Sequence, residues 1–314
     1  MKNVEKKNRV VGVIGVKAEM ANWNAGFDGD PKCTYDGTIF GSDKALKHAM
    51  RQQWLDTGLK VLMMKSRKVK DGKILPKTLE ERYNEYFGPI DTKKTLIVLE
   101  NLFDTIDCLN FGVAFAVKQV NHSITGAVQI NQGLNKYSDT EVIVQDILSP
   151  FANSNGDGKS QTTIGKMTHV DEAHYCYGFS VNPFVYNSYK ELFGKEFNGY
   201  TEEAYEYFKK AALTSVTELN TASKCGCSNE YGIFINLKDE SKVMLPNFSN
   251  FITIEKEEKV IVNMNKAKNI LEAYKDHIDS IEIYLDDQLT TIDYSELTDD
   301  IKNLIVENSI YSCI

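Results

Sequence analysis

Two stretches with strand character, residues 141–148 and 167–179, are separated by a long polar stretch, 149–166, rich in Ser, Asn, Gly, Asp, Thr and Gln. Two strands joined through that much polar chain make a hairpin with an outsized tip, and a loop of this length in a folded domain is as a rule functional or disordered. Around it, residues 10–16 form an apolar, β-branched run followed by a loop rich in Gly, Asn and Asp, which predicts a buried strand. Ser42 or Asp43 caps a helix reaching to about residue 56, with Leu46, Met50 and Trp54 as its core stripe. Further strands are expected at 95–100, 111–117, 127–130, 231–237, 251–262 and 281–284, and further helices at 79–87, 201–219, 266–279 and 295–307. Strands and helices alternate irregularly, which predicts an α+β fold rather than a doubly wound sheet. There is no internal repeat, low-complexity tract or Pro/Gly-rich linker, and a chain of 314 residues buries about three quarters of its unfolded surface without staples.

Charge is distributed unevenly. The chain carries a net −8, yet residues 1–94 hold 19 Lys/Arg against 12 Asp/Glu, a net of +7, and residues 95–314 hold 17 against 32, a net of −15. Between Lys44 and Lys77 ten basic residues face only Asp56 and Asp71. Polyanion binding depends on a local basic face and not on total charge, so the acidic pI does not exclude nucleic acid. On the first helix Lys44, Lys47 and Arg51 fall at spacings of three and four, off the core stripe; the bland alternative is a solvated cationic face. The acidic stretch 276–307 reads as a solvated surface or as a docking face for a basic partner. No apolar run approaches the roughly 20 residues of a membrane span. The polar N-terminus lacks signal-peptide character, so a cytoplasmic chain is expected.

Several motifs tempt and fail. Residues 171–174 spell DEAH, and 156–160 spell GDGKS, but a phosphate-binding loop needs Gly where Asn153 stands. Asp28, Asp30 and Asp36 do not follow an EF-hand, because the twelfth position from Asp28 is Ile39. Turn chemistry with Gly26, Gly29 and Pro31 accounts for them, with an acid assisting RNA cleavage as the functional alternative. Cys225 and Cys227 lack a second pair at zinc spacing, and the six cysteines read as free thiols. No metal, cofactor or catalytic constellation is indicated. Tyr200, Tyr205, Tyr207 and Phe208 read as packing residues on a helix.

Five stretches in order then resemble one family: 21–31 (ANWNAGFDGDP), 41–51 (GSDKALKHAMR), 109–115 with 124–130 (LNFGVAF, ITGAVQI), 147–152 with 163–167 (ILSPFA, TIGKM), and 177–183 (YGFSVNP). The chain resembles the RNA-binding backbone subunit of CRISPR Cascade complexes, the Cas seven group, subtype I-B (Csh-two-like). The first loop carries extra residues relative to the family's Asn-x-Asn-Gly-Asp-Pro pattern. The resemblance spans about residues 10–237 and leaves out the acidic C-terminus.

The resemblance implies a modified ferredoxin-like (RRM-like) palm with finger insertions and a long β-hairpin thumb, within one composite domain over 1–314. The palm would take about 8–120 and 200–262, the thumb about 146–175, and an acidic C-terminal segment 263–314. It implies a non-catalytic subunit that polymerises along the guide RNA (crRNA), with target DNA held through base pairing to that guide. Partners would be crRNA, further copies of the chain, and other Cascade subunits: the crRNA-end-capping subunit, the large subunit and the repeat-processing endonuclease. Lys44, Lys47 and Arg51 would contact guide phosphates irrespective of sequence. Asn22 and Asn24 would offer amides, Arg67 and Lys68 would be further phosphate contacts, and Ser223 and Lys224 would act from a loop after a helix. On the thumb, Ile164 and Met167 would wedge apart stacked bases, with Lys159 and Lys166 holding flanking phosphates. A guide-dependent ribonuclease using Asp28 and Asp30, as in type III complexes, is the alternative.

Overall fold

The computed structural model describes residues 4–148, 164–194 and 197–313. Along the chain run β1 (Val10–Ala21), β2 (Phe40–Gly41), α1 (Asp43–Asp56), β3 (Arg67–Lys70), β4 (Lys73–Pro76), α2 (Leu79–Phe87), α3 (Thr95–Phe103) and α4 (Ile106–Phe111). Next come β5 (Gly112–Val117), β6 (Val120–Thr125), β7 (Val128–Ile130), β8 (Gly133–Asn135), β9 (Val142–Leu148), β10 (Ile164–Val181), α5 (Asn187–Phe193) and α6 (Glu202–Glu218). The C-terminal part holds β11 (Cys227–Leu237), β12 (Thr253–Lys256), β13 (Val260–Asn263), α7 (Lys268–Tyr274), β14 (Ile278–Leu285), β15 (Thr290–Asp293), α8 (Asp299–Lys302) and β16 (Ile305–Ser309).

β1 is buried along almost its whole length, as its β-branched sequence predicts, and lies at the centre of the main sheet. It pairs antiparallel with β10 on one side and β11 on the other. The sheet order is β16-β14-β11-β1-β10-β8-β2, with β7 and β9 also paired to β10. Ile14, Val16, Tyr177 and Phe234 meet Leu46, Met50 and Trp54 of α1 and Phe208 and Ala212 of α6 in one apolar cluster. Full burial of side chains this large stabilises by about 1.5–3 kcal/mol each. On the opposite face Val11, Val13, Ile233 and Ile235 pack with Val260, Val262, Leu271 and Ile301. The C-terminal part is therefore attached through an apolar interior, and its β14 and β16 extend the main sheet.

A buried polar network also joins the two parts. His174 lies 2.8 Å from Glu230 through Nδ1 and 3.2 Å from Glu172 through Nε2, and Thr290 Oγ1 donates to Glu230 at 3.3 Å. The DEAH tetrad of the sequence thus lies on a strand and serves packing.

Local readings differ from the structure in four places. Residues 251–262, expected as one strand, form the antiparallel pair β12 and β13, because the polar residues 257–259 turn the chain back. Residues 95–100, expected as a strand, begin helix α3; the apolar run is equally compatible with both, and burial of Val98, Leu99, Leu102 and Phe103 follows helical spacing. Residues 295–307, expected as one helix, hold only the short α8 and then β16, whose parallel pairing with β14 comes from a strand distant in sequence. The expected helix 266–279 stops at Tyr274, and β14 starts at Ile278. The expected strand 111–117 is β5, and it is closed into a hairpin by β6; the β3–β4 hairpin is a further element beyond the expected ones. No helix among the described residues is long and apolar enough to cross a membrane.

Candidate nucleic-acid interface

Helix α1 starts where the sequence asks it to. Ser42 Oγ accepts the N–H of Ala45 at 3.3 Å, and the N–H of Ser42 donates to Asn24 Oδ1 at 2.7 Å. Asn24 therefore ties the first loop to the helix start. With Leu46, Ala49, Met50, Gln53 and Trp54 buried, the remaining positions form the cationic face.

The three cations of that face are not equivalent. Lys44 is exposed and has no ion-pair partner among the described residues. Lys47 pairs with Asp43 at 3.0 Å. Arg51 Nε pairs with Asp107 Oδ2 at 3.2 Å, and the Asp107 carboxylate also accepts the N–H groups of Leu62 and Met63, each at 2.8 Å. Lys47 and Arg51 both lie over the Phe111 ring, at 5.3 and 5.2 Å from its centroid, a cation–π arrangement that orients them. His48, exposed between them, has its pKa lowered by partial burial and by the charges of Arg51 and Lys224.

A convergence invisible in the sequence accompanies that effect: Lys224 reaches the loop 22–24, which Asn24 ties to the start of α1. The loop carrying it is clasped to the end of β1, since Glu19 N–H donates to Gly226 O at 2.9 Å and Asn22 N–H to Ser223 O at 3.0 Å. A Cβ on Gly226 would come within 2.0 Å of Glu19 O, so the clasp needs glycine. The Lys224 ammonium donates to Asn22 O and sits 5.9 Å from the Trp23 ring, and burial pushes its pKa down. In the same loop Cys225 is exposed and Cys227 is buried, its thiol pushed up to about 12 by burial; all six cysteines are free.

The first loop is fastened to the base of the β9–β10 hairpin. Asn22 is buried, and its Nδ2 donates to Gly29 O at 3.1 Å and Thr168 O at 3.0 Å, so this amide shapes the loop instead of facing out. Thr168 Oγ1 donates to Asp30 Oδ1 at 2.8 Å, and Asp30 N–H donates to Asp28 Oδ1 at 3.1 Å. Both carboxylates are engaged in turn and hairpin contacts. Among the described residues no three His, Cys, Asp or Glu side chains gather as a metal site.

The hairpin pairs Val142–Leu148 with 164–170, placing Lys166 opposite Asp146 and Met167 opposite Gln145. Lys166 is exposed and Met167 half-buried, next to Thr168. Ile164 opens β10 opposite Leu148. Lys159 lies outside the described residues. Val142, Val144, Ile147 and Leu148 of β9 are exposed, so this arm leaves apolar surface uncovered.

Asn24, Lys44, Lys47, Arg51, Ser223 and Lys224 are thus brought together beside the hairpin base. Arg67 and Lys68 are not: they stand on the separate β3–β4 hairpin, Arg67 exposed and Lys68 paired with Glu81. His48 was missed by sequence reasoning although it lies four residues after Lys44 and three before Arg51, on the same helical row. Asp107 and Phe111 carried no local signal.

A family model described as CRISPR-associated protein Cas7 matches residues 8–280. One solved structure, titled "CRISPR RNA-guided surveillance complex, pre-nicking", is similar at 13% identity and TM-score 0.51, covering 97% of this chain and 98% of that one. Another, titled "CRISPR RNA-guided surveillance complex", is similar at 13% identity and TM-score 0.51, with 96% of each chain covered. At this identity the likeness is one of fold, mixed α+β. No curated protein sequence matches.

Proposed function

This chain belongs to the CRISPR-associated Cas7 family, and on that premise we propose that it is the crRNA-binding backbone subunit of a cytoplasmic type I Cascade complex, subtype I-B. Copies line up along one guide RNA and hold its backbone, while base pairing between guide and target DNA reads sequence. The order β11-β1-β10-β7, with α1 and α6 on one face, supports a ferredoxin-like palm. The β9–β10 hairpin is the thumb. The other Cascade subunits, namely the end-capping subunit, the large subunit and the repeat-processing endonuclease, complete the particle.

Two stretches distant in sequence, α1 with Lys44, Lys47 and Arg51 and the loop after α6 with Lys224, meet beside the thumb base, in a chain whose net charge is −8. That convergence carries the proposal. Lys44, Lys47, Arg51 and Lys224 hold phosphates, Asn24 and Ser223 add polar contacts at the loop, and Lys166 holds a phosphate flanking the thumb. Met167 and Ile164 separate stacked bases, at a cost of a few kcal/mol per step. Arg67 and Lys68, on the separate β3–β4 hairpin with Lys68 paired to Glu81, stand apart from this surface.

The subunit is non-catalytic in this proposal. The engagement of Asp28 and Asp30 in loop contacts supports that part.

Size-exclusion chromatography of the full chain with a guide-like single-stranded RNA tests the proposal. A shift to a large RNA-containing assembly, with the RNA intact after incubation with Mg²⁺, is the expected result. A small protein peak free of RNA overturns the backbone assignment. Metal-dependent cleavage abolished by D28N or D30N overturns the non-catalytic one.

A further inference from the structure

The β3–β4 hairpin carries an aliphatic pair that packs on nothing. Val69 stands opposite Ile74, and they are 75% and 69% exposed. Lys70 stands opposite Lys73 at the Asp71-Gly72 turn, and neither ammonium has a partner among the described residues. A two-stranded hairpin is marginal in water by itself, so an aliphatic pair at its outer face gains from being covered.

At the other end of the chain two turns form a knob of opposite charge. The β12–β13 and β14–β15 turns are joined by Val260 N–H to Leu289 O at 3.0 Å and by Lys259 Nζ to Asp287 O at 2.9 Å. Leu289 is 54% exposed at its centre. Glu257, Glu258 and Asp287 lie on these two turns and Glu255 on the adjoining β12, all exposed. Lys256, the other cation there, is drawn to Glu172.

We infer that the β3–β4 hairpin of one copy docks on the Leu289 knob of a second copy of this chain. Val69 and Ile74 cover Leu289, while Lys70 and Lys73, next to the turn, reach round with their long side chains to the exposed carboxylates of the two turns. Two observations favour a protein partner for the hairpin over a nucleic acid. Residues 65–77 contain no aromatic ring on which a base could stack, and the chain itself presents an exposed leucine on turns of the complementary sign. The two surfaces differ, so the contact is heterologous and propagates from copy to copy instead of closing into a two-fold dimer. Its biological use rests on the polymerising subunit proposed above; the contact itself is tested independently of RNA.

Sedimentation velocity of the full chain at low salt, alone and with long single-stranded RNA, reads self-association. Fluorescence binding to an RNA short enough for one copy reads the guide interface. K70E/K73E and E257K/E258K should each raise the concentration for half-maximal self-association by about tenfold or more. Combining all four substitutions in one chain should restore it to within about threefold, because the charges are exchanged. Short-RNA affinity should stay at the wild-type level throughout.

Self-association of the wild type that ignores both double variants overturns the contact, and so does a chain that stays monomeric with and without RNA. If K70E/K73E weakens short-RNA binding and the fourfold variant does not recover assembly, the hairpin binds nucleic acid instead. Charge-sensitive self-association without any RNA binding would sustain the contact and overturn the backbone function.

Discussion

Arg51 Nε lies 3.2 Å from Asp107 Oδ2, so a cation of the candidate guide-binding face is anchored by a carboxylate with no exposed surface. The same carboxylate holds the backbone of Leu62 and Met63. Arg51 is therefore tied both to the core and to the candidate interface, while Lys44, two turns earlier on α1, touches only the candidate interface.

This separates two substitutions of similar charge change. R51Q leaves Asp107 buried without its cation and should cost about 3 kcal/mol of stability or more, whereas K44Q should stay within about 0.5 kcal/mol. Urea denaturation of the two variants checks this. Equal midpoints would mean that Asp107 is satisfied by the backbone N–H groups alone.

K44Q should instead appear in RNA binding. Losing one phosphate contact reduces the slope of log K against log salt by about 0.7 for a single strand. The loss should be the same for homopolymeric and mixed sequences, because phosphates carry no sequence. A salt titration with two RNAs of different sequence reads both effects, and an unchanged slope would remove Lys44 from the interface.

His48 should make RNA binding depend on pH. Burial and the charges of Arg51 and Lys224 hold its pKa below the ordinary 6.5. The folded chain then binds the proton less well than the unfolded chain, so this contribution to stability is complete above about pH 6.5 and declines as pH falls towards the folded value. A phosphate placed beside His48 reverses the bias and draws a proton in. RNA affinity should therefore rise as pH is lowered from about 7.5 to 5.5, and H48Q should flatten that rise. Parallel profiles for H48Q and the wild type would show that no phosphate approaches the ring.

The clasp at Gly226 should tolerate no side chain. G226A forces a Cβ to within 2.0 Å of Glu19 O, and overpacking of this kind costs about 1–3 kcal/mol. Displacing the loop moves Lys224 away from α1, so RNA affinity should fall together with the melting temperature. A variant with wild-type stability and affinity would show that the loop adapts freely.

Much of the local structure was legible in residue order. The Ser42 cap, the buried stripe of α1 and the hairpin flanking the polar stretch depend on contacts over a few positions or on period alone, and all three are present. Residues 95–100 misled because a short apolar run satisfies a buried strand and a buried helix equally, and packing of Val98 and Leu102 chose the helix. The ordering of β16 beside β14 misled for a related reason: its partner is set by the sheet and not by its own sequence.

For the interface, residue types and helical spacing by themselves determined that a cationic face exists and which residues compose it. Tertiary structure decided which of those cations are available and what stands beside them. Asp107, 56 residues from Arg51, engages one of them, Phe111 orients two, and the β1 clasp brings in Lys224 from after α6. A charge is written in the sequence, but its partner is fixed only when distant segments pack, because ion pairs and cation–π contacts act over a few ångströms of space and not along the chain.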